Sequence, residues 1–555
     1  MWHQIIEFRS RNKIRSHGTR SFDKPPTFGY HRNELTDQHK PISRIDLAIV
    51  GASCVFAYSL VFKLPATPFL MEADHHIFLY EGMRLFQGDR IYADFFEFTF
   101  PGTQTFYWTM FSLFGLRYWI LGATIIGLAA ASVSVCLSLS KRVIEGPMYI
   151  VPALIFIFFG FRWLGVDGSH RMFSPIFVLL ALWFVLRDGK KALNLFTAGS
   201  LSAFASFFTQ PRGFVAVVGL IVFVILDGLK QTQRMAAAIS PALLLFGSFS
   251  ITLALLCSYF VLTAGWTNFF YDTVIYPLNF YSASEHNDLA AFTFDLGNIF
   301  HFRTVTNVLA AVPFLFYLFF VPATYVAFWT SFAITGRSDW TERRSITSVA
   351  IVGSMLTVAA AASPNSARLF QIAIPGLVVL VWMAGRVVPV NSQKKIALAM
   401  GGLLMMLGCI QSYRMQTWEY RSMPTPAGTL SYLPTPVIDE RYSFLLKNSQ
   451  PKDAVFEVYE PFVYFPLQLK NPTPYGQIWP SDYTRPEQVA DAIAHLTATR
   501  PRYIIWDNLY SKPDEERAPG DHTGPLAKFV AQNYHPANSE VDIGEAKIQI
   551  WERNY

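Results

Sequence analysis

The run IDLAIVGASCVFAYSLVFKL, residues 45–64, decides the fold class of this sequence. It has charges only near its ends, and about 20 such residues are enough for an α-helix to cross the ~30 Å hydrocarbon core of a membrane. Ten further apolar runs follow it, over 118–140, 148–161, 172–186, 193–208, 213–228, 236–264, 305–330, 346–362, 369–385 and 396–412. The sequence therefore predicts a polytopic α-helical membrane protein with about eleven spans.

The composition agrees with this fold class. Of the 555 residues, 52% are hydrophobic and 15% are charged, whereas soluble domains carry about 25% charged residues. The first run is not interpreted as a cleaved signal peptide, because a long polar and basic segment precedes it and no small-residue cleavage site follows. All four cysteines fall inside apolar runs, which favours packing over a disulfide framework or a metal site.

The basic residues orient the predicted spans. Residues 1–44 are rich in Lys and Arg, so the positive-inside rule places this segment in the cytoplasm. Five later connections on the same side are also basic, through Lys141, Arg142, Arg187, Lys190, Lys191, Lys230, Arg234, Arg337, Arg343, Arg344, Arg386, Lys394 and Lys395. The net charge of +6 therefore requires no nucleic-acid partner. A transmembrane domain over 45–412 then has its first long loop, 65–117, outside the cytoplasm.

Residues 413–555 have the composition of a small extracytoplasmic α/β domain. AVFEVY (454–459) and RYIIWD (502–507) are typical of strands, and PEQVADAIAHLTA (486–498) has the periodicity of an amphipathic helix. EVDIGEAKIQIWERN (540–554) is predicted to be a closing hairpin, and the proline-rich MPTPAGTLSYLPTP (423–436) to be a linker. The short outer loops and compact tail favour a bacterial inner membrane over a eukaryotic one.

The first long loop contains MEADHHIFLYEGMRLFQGDRIYADFFEFTFPG, residues 71–102, which is unusually acidic and aromatic. Residues 78–88 predict a short amphipathic helix, and residues 100–115 predict an aromatic helix that lies along the membrane interface. A loop anchored to the membrane by both of these helices holds its carboxylates at a fixed depth. That arrangement suits a reaction between one water-soluble reactant and one lipid-anchored reactant.

Several segments in a fixed order resemble the GT-C membrane glycosyltransferases. They are an Asp soon after the first span, GDRIYADFFE (88–97) with a Pro-Gly entry to an aromatic helix, TQPRG (209–213), YPLNFYS (276–282) and SARLFQIAIPGL (366–377). The resemblance covers nearly the whole chain. It is closest to the branch of dolichyl-phosphate-mannose protein mannosyltransferases and their bacterial lipid A and lipopolysaccharide relatives.

This resemblance implies that a sugar is transferred from a polyprenyl-phosphate donor to an extracytoplasmic acceptor, usually with inversion. The acceptor could be a lipid, a glycan or a protein hydroxyl, and no cofactor is implied. Asp74 matches the family's catalytic aspartate. The second acid maps to Asp94 or Glu97, and both remain open. The family motif often has Asp-Glu at the first site, whereas this chain has Asp74 followed by His75 and His76.

The chemistry of the residues agrees with this reaction. A carboxylate that takes the proton of a hydroxyl acceptor typically accelerates transfer by about 10²–10⁴. The leaving phosphate needs positive charge, and a guanidinium can bind two phosphate oxygens at once. Candidate substrate-binding residues in the predicted outer loops are Arg162, Arg171, Arg212, Arg368, Gln210, His75, His76 and Tyr276.

Simpler explanations exist for each candidate. Asp74 could cap a helix, and Asp94 or Glu97 could pair with Arg84 or Arg90. Arginines near lipid can extend to the headgroups. The sequence contains no recognised metal-ligand spacing, so no metal is expected.

Two other functions compete with an enzyme. A transporter would carry ionisable residues at mid-membrane, where this chain has few. A receptor or assembly scaffold would resemble an enzyme in sequence. The enzyme hypothesis requires Asp74 to face the same site as Arg212 or Arg368.

Overall fold

The computed structural model describes residues 42–187, 191–232, 235–284, 311–335, 340–361, 364–537 and 548–554. Each of the eleven predicted apolar runs is mainly helical where it falls within these ranges, but the run 45–64 ends in a short strand and the run 369–385 is broken at residues 372–373. Among the described residues, seven helices are long and apolar enough to cross a membrane: Arg44–Val61 (α1), Trp119–Val143 (α4), Gly146–Leu164 (α5), Gln210–Gln231 (α8), Ala238–Ala264 (α9), Ala311–Ile334 (α11) and Val390–Thr417 (α15).

Four more helices occupy the remaining predicted runs and fall short of that length or hydropathy: His170–Val185 (α6), Lys191–Phe208 (α7), Trp340–Ala360 (α12) and Ile374–Val387 (α14). A short helix, Trp266–Phe270 (α10), follows α9. The chain is thus a mainly helical membrane protein, while the count of eleven spans stays a prediction. The basic arm 1–41 and the loop residues 285–310 lie outside the described residues.

Ion pairs join the helix ends that carry the basic connections. Lys141 at the end of α4 pairs with Asp46 at the start of α1. Arg344 in α12 pairs at 2.9 Å with an aspartate at the end of α8, Asp227. The basic connections before and after these helices therefore meet at one end of the bundle, as the orientation rule requires. Which compartment this end faces stays a prediction.

The first long loop folds into two short strands and two helices, which are β1 (Phe62–Lys63), β2 (Thr67–Pro68), α2 (His75–Gln87) and α3 (Gly102–Phe114). Both predicted helices are confirmed, but the environment predicted for the first is wrong. The apolar side of α2, with Phe78, Leu79 and Met83, is buried inside the protein. Protein packing, and not lipid, therefore holds α2 in place.

The second loop helix, α3, keeps an exposed apolar end. Leu113 is 66% exposed and Phe114 is 52% exposed. Apolar and aromatic side chains of this kind are favoured at a membrane surface. This end of α3 therefore fits the predicted interfacial position.

The predicted linker 423–436 is wrong for most of its length. Residues 421–432 form a β-hairpin of β3 (Arg421–Thr425) and β4 (Gly428–Tyr432). Gly428 has a φ of +118°, which a glycine adopts without steric cost, so the chain can reverse here. The hairpin packs on the first loop, where the amide of Leu70 donates to the carbonyl of Ser431 at 2.7 Å.

The rest of the tail contains a four-stranded sheet with the order β5 (Val455–Glu457), β6 (Tyr503–Asp507), β8 (Ile548–Arg553), β7 (Tyr534–Pro536). Only the β5–β6 pair is parallel. Four helices accompany the sheet: Pro436–Asn448 (α16), Tyr464–Leu467 (α17), Pro486–Thr499 (α18) and Gly524–Asn533 (α19). The strands predicted at 454–459 and 502–507 and the helix at 486–498 are thus present. The first half of the predicted closing hairpin, 540–547, lies outside the described residues.

The tail shares its hydrophobic core with the first loop and the membrane helices. Tyr442, Val463 and Phe465 belong to the same buried cluster as α1 and α4. Phe456 and Trp506 instead belong to a second cluster within the tail. The tail therefore braces the loop that carries the candidate catalytic residue. The predicted domain boundary at 412 falls inside α15, which ends at Thr417.

Candidate active site

Asp74 directly precedes α2 but does not cap it. Its side chain makes no capping hydrogen bond to the helix. The carboxylate instead pairs with the guanidinium of Arg171, and its side chain is 41% exposed. Asp74 is therefore held by a neighbouring helix and remains accessible from one side.

Arg171 lies in the first turn of α6, where a proline shapes the site. Pro175 has no backbone N–H, so the carbonyl of Arg171 lacks its usual partner four residues along the helix. The guanidinium of Arg212, at the start of α8, donates to this carbonyl instead. Arg212 is buried and also donates to Oε1 of Gln371 at 3.0 Å. One local sequence feature thereby brings two arginines together.

Asp167 is a site residue that the sequence analysis did not select. It lies between α5 and α6, and its carboxylate accepts hydrogen bonds from the amide and the hydroxyl of Ser169 at 2.8 and 2.6 Å. Nδ1 of His75 lies 3.8 Å from the carboxylate. Burial alone would raise the pKa of Asp167, but the contacts with His75 and Ser169 and the charge of Arg171 lower it to about 2. Asp167 is therefore ionised at neutral pH.

A signal for Asp167 was present in the sequence. It is the one acid in the short predicted outer loop FRWLGVDGSHRM (161–172). It shares this loop with two of the candidate arginines, Arg162 and Arg171. The loop is also tied to the first loop, because the hydroxyl of Tyr107 in α3 donates to the carbonyl of Gly168 at 2.8 Å.

Arg368 completes the group of charges. It lies in the short helix Ser366–Gln371 (α13), whose N-cap Asn365 accepts a hydrogen bond from the Arg368 amide at 2.8 Å. Burial and the nearby charge of Arg171 lower the pKa of Arg368, while Asp74 and Tyr281 partly offset this effect. Arg368 therefore lies within electrostatic range of both the candidate base and a second arginine.

We call this group the Asp74 cluster, and its members are Asp74, Asp167, Arg171, Arg212 and Arg368. Four helix ends and the α5–α6 loop contribute to it. Three guanidinium groups face two carboxylates, which leaves one excess positive charge. Three of the four predicted arginines thus lie with Asp74, although their roles stay predictions.

Several other predicted residues lie outside the cluster. Asp94 is paired with the exposed Arg90 at 2.9 Å, which is the simpler explanation named above. Arg162 donates to the carbonyl of Gln411 at 3.3 Å and stacks on Trp163. The outer arginines therefore do not act as one set.

Glu97 belongs to a separate buried group of carboxyls. It accepts a hydrogen bond from the amide of Thr99 at 2.6 Å. The neighbouring Glu81 accepts from Nε2 of Gln104 at 2.9 Å, and burial, together with Glu97, raises its pKa well above the usual range. Asp272 is also buried nearby, and burial raises its pKa to about 8. The hydrogen bonds of Glu97 and Glu81 lie within the first long loop, and neither residue is a member of the Asp74 cluster.

Two further predicted residues, His76 and Tyr276, make hydrogen bonds to the tail, and their roles stay predictions. His76 is buried between the hydroxyl of Tyr118 at 3.0 Å and the carbonyl of Phe462 at 3.2 Å, and burial lowers its pKa to about 3. The hydroxyl of Tyr276 donates to the carbonyl of Tyr483 at 2.8 Å. Both residues therefore tie membrane-proximal loops to the tail.

Two further predicted residues border the cluster. His75 hydrogen-bonds the carbonyl of Met71 at 2.8 Å through Nε2 and approaches Asp167 through Nδ1. Nε2 of Gln210 donates to the carbonyl of Phe98 at 2.9 Å, which fixes the turn before Arg212. Their contacts are those of positioning residues.

Among the described residues, no group of three or more His, Cys, Asp or Glu side chains has the arrangement of a metal site. The charge balance of the Asp74 cluster favours an anionic ligand.

Comparison with known proteins gives a match at the level of structure only. No protein-family profile and no curated protein matches the sequence. ArnT from Cupriavidus metallidurans, solved with bound undecaprenyl phosphate, is 12% identical, with 91% of this chain and 97% of that chain covered and a TM-score of 0.50. The oligosaccharyltransferase of Archaeoglobus fulgidus in the apo form is also 12% identical, with coverages of 92% and 76% and a TM-score of 0.47.

A third solved structure is the mycobacterial arabinofuranosyltransferase AftD, at 12% identity, coverages of 92% and 40% and a TM-score of 0.47. At such low identity the likeness concerns the fold alone. ArnT carries this comparison, because the match extends over almost the whole of both chains. The chain therefore shares the overall fold of ArnT, which is the kind of fold that the resemblance to the GT-C glycosyltransferases predicted.

Proposed function

We propose that the chain is a membrane glycosyltransferase. It transfers a sugar from a polyprenyl-phosphate donor to a hydroxyl of a lipid, glycan or protein acceptor, with inversion. The observation that carries this proposal is the Asp74 cluster, in which an accessible carboxylate lies among three arginines at one end of apolar helices. The GT-C fold supports it.

In the proposed reaction, Asp74 takes the proton of the acceptor hydroxyl while the acceptor oxygen attacks the anomeric carbon. The bond from that carbon to the phosphate oxygen breaks, and polyprenyl phosphate leaves with the electron pair. Arg171 has two partners in this scheme. The donor phosphate competes with Asp74 for its guanidinium, and this exchange releases the carboxylate to act as a base.

The charge of the cluster suits the change in the leaving group. The donor is a phosphodiester with one negative charge, whereas the released phosphate monoester carries about −1.5 to −2 at pH 7. Three arginines and two aspartates leave one positive charge before the donor binds. Negative charge that develops on the phosphate is therefore better stabilised than the charge of the ground state, which is the condition for electrostatic catalysis.

The test uses the purified full chain in lipid nanodiscs with a panel of undecaprenyl-phosphate hexoses and pentoses. Donor consumption and product formation are followed by mass spectrometry. We expect Asp74→Asn to lose at least about 10²-fold in turnover while it still binds undecaprenyl phosphate. The matched control is Asp94→Asn, which alters a half-buried carboxylate of the same loop that pairs with Arg90 and should keep wild-type turnover.

Three results would contradict the proposal. Undiminished turnover of Asp74→Asn would remove this residue from the role of base. Equal losses in Asp74→Asn and Asp94→Asn would show that the loop is merely sensitive to charge. Donor binding without consumption by the wild-type chain across the panel, with every acceptor class supplied, would favour the receptor or scaffold.

We further propose that the N-terminus is cytoplasmic and that the Asp74 cluster and the tail are extracytoplasmic, in a bacterial inner membrane. The basic helix ends at the opposite end of the bundle support this orientation. Alkaline phosphatase fused after residue 554 should be active in a bacterial host. An inactive phosphatase fusion, together with a fluorescent green fluorescent protein fusion at the same site, would reverse the orientation.

A further inference from the structure

The tail loop 458–463, between β5 and α17, packs against the start of α2. Nδ1 of His76 hydrogen-bonds the carbonyl of Phe462 at 3.2 Å, and the two rings lie 5.4 Å apart. The amide of Phe462 donates in turn to the carbonyl of Glu460 at 2.9 Å, which closes a tight turn. Because His76 follows Asp74 by two residues, this turn brings Glu460 to the end of α2 that carries the candidate base.

Glu460 has an unused side chain. Among the residues that the structure describes, none forms a hydrogen bond or an ion pair with its half-buried carboxyl. Burial raises the pKa of Glu460 to about 8, and the nearby charge of Asp74 acts in the same direction, as do Glu457 and Glu72, while Arg441 opposes them. At neutral pH the carboxyl therefore keeps its proton and can both donate and accept a hydrogen bond.

A small polar cavity of about 10 Å³ adjoins Glu460. Its other polar side chains include Glu457 and Arg441, and its volume is about that of one water-sized group. The guanidinium of Arg441 pairs with Glu457 at 3.3 Å and with Glu72 of the first loop. The cavity therefore has room for one hydroxyl group and is tied to the segment that carries Asp74.

Aromatic side chains extend from this cavity to the Asp74 cluster. The half-buried rings of Tyr459, which lines the cavity, and Trp479 lie 4.6 Å apart. Tyr459 is within electrostatic range of Tyr483, whose ring lies 5.6 Å from that of Tyr281. Tyr281 in turn interacts with Arg368. A sugar ring has a face of C–H groups that packs on the electron-rich face of an aromatic ring, so this surface suits a carbohydrate.

We propose that Glu460, with Tyr459 and Trp479, binds a glycan acceptor, and that the Glu460 carboxyl hydrogen-bonds a hydroxyl beside the one that Asp74 deprotonates. The inference rests on the proposed function and narrows its acceptor to a carbohydrate. A protein hydroxyl on an extended peptide would use the carboxyl but leave the aromatic surface without a partner.

Three variants isolate the role of this side chain. Glu460→Ala removes the donor and the acceptor, whereas Glu460→Gln keeps one of each in nearly the same shape. Glu515→Gln is the matched control, because it alters an exposed carboxyl of the tail that does not line the cavity. None of the three removes a hydrogen bond of the described residues, so melting temperatures close to that of the wild type are expected and are measured first.

The full chain in nanodiscs is titrated with methyl hexosides and methyl pentosides in the presence of undecaprenyl phosphate. Saturation-transfer NMR measures the binding of these sugars, and the donor panel then measures transfer to them. We expect Glu460→Ala to raise the Kd and the acceptor KM about tenfold, because hydrogen bonds to the sugar are lost. The donor KM and the kcat should stay within about twofold, since binding alone is changed.

Glu460→Gln and Glu515→Gln should bind the glycosides as the wild type does. A soluble peptide rich in serine and threonine should compete at least about tenfold more weakly than the preferred glycoside, because it lacks the sugar face that packs on the aromatic rings.

Equal affinities of Glu460→Ala and the wild type would overturn the inference. An equal loss in Glu460→Gln or in Glu515→Gln would also overturn it, as would stronger competition by the peptide. Binding is measured without turnover, so the two proposals fail separately. Glycoside binding that depends on Glu460, without sugar transfer by the wild type, would refute the enzyme and support the glycan site. Sugar transfer to the peptide but to none of the glycosides would refute only the glycan site.

Discussion

Gly168 offers the sharpest test of how the site is built. A Cβ atom at this position would lie 2.5 Å from the hydroxyl oxygen of Tyr107 and 2.6 Å from Cδ1 of Leu121. Both distances are shorter than real contacts of such an atom, and Tyr107 is fully buried. Gly168→Ala should therefore push the loop that carries Asp167 away from α3.

The magnitude follows from two effects. Overpacking a buried site by one methyl group costs about 1–3 kcal/mol, and the hydrogen bond from Tyr107 to the carbonyl of Gly168 contributes about 1 kcal/mol. Tyr107→Phe alone removes only the hydrogen bond. In the double variant the hydroxyl no longer meets the new methyl group, so its loss should be smaller than the sum of the single losses by about 1 kcal/mol.

The assay is thermal unfolding of the wild type, both single variants and the double variant in the same detergent. Gly51→Ala in α1 is the matched control, because its Cβ atom meets nothing within 4 Å. The control should leave the melting temperature unchanged or slightly raised. Turnover should fall in Gly168→Ala and recover in part in the double variant. Additive losses, or equal behaviour of Gly168→Ala and Gly51→Ala, would refute the packing described here.

Three further predictions concern charge. Burial raises the pKa of Asp272 to about 8, so the folded protein keeps a proton that the unfolded chain loses above about pH 4. The stability of the wild type should therefore fall as the pH rises from about 4 to 8. Asp272→Asn should make the melting temperature depend less on pH over this range. Arg441 is buried and lies 3.3 Å from the buried carboxylate of Glu457, so Arg441→Met should cost about 3–5 kcal/mol near pH 8 and less near pH 5, where Glu457 can be protonated. Arg171→Lys should weaken undecaprenyl phosphate binding about tenfold through loss of the bidentate geometry, whereas Arg162→Lys should not, and equal affinities in a binding titration would contradict this assignment.

The membrane helices were predictable because the signal for them is local. About 20 apolar residues must satisfy their backbone groups by forming a helix in a membrane, whatever the rest of the chain does. The two loop helices were predictable for the same reason, since their periodicity lies within 13 residues each. The environment of α2 was not, because an apolar face on a helix can be covered by protein as well as by lipid.

The hairpin β3–β4 shows how composition can mislead. Four prolines in 423–436 indicated a linker, but Pro424 occupies a two-stranded edge, where a missing N–H is tolerated. The decisive contact, from Leu70 to Ser431, joins residues far apart in the chain. A local sequence pattern cannot predict a partner that is so distant in the chain.

The candidate site divides in the same way. The resemblance to the GT-C glycosyltransferases selected Asp74, and a position in outer loops, where the positive-inside rule disfavours arginine, selected Arg171, Arg212 and Arg368 as candidates. Those properties do not distinguish Arg162 from the arginines of the cluster. Arg162 also lies in a predicted outer loop, but its guanidinium donates to the carbonyl of Gln411. Nor did they select Asp167, whose importance depends on its distance from His75.

The amino-acid sequence alone determined the helical membrane fold and the polar loop, because hydropathy and charge act through neighbours in the chain. Its candidate base was identified through a family resemblance. Only the tertiary structure decided which charges meet. A carboxylate and an arginine interact over a few ångströms, and the packing of α2, α6, α8 and α13 sets those distances. Asp94 and Asp74 lie in the same loop and illustrate the difference. Asp94 pairs with Arg90, an exposed residue four positions away, whereas Asp74 pairs with Arg171 of a helix far along the chain.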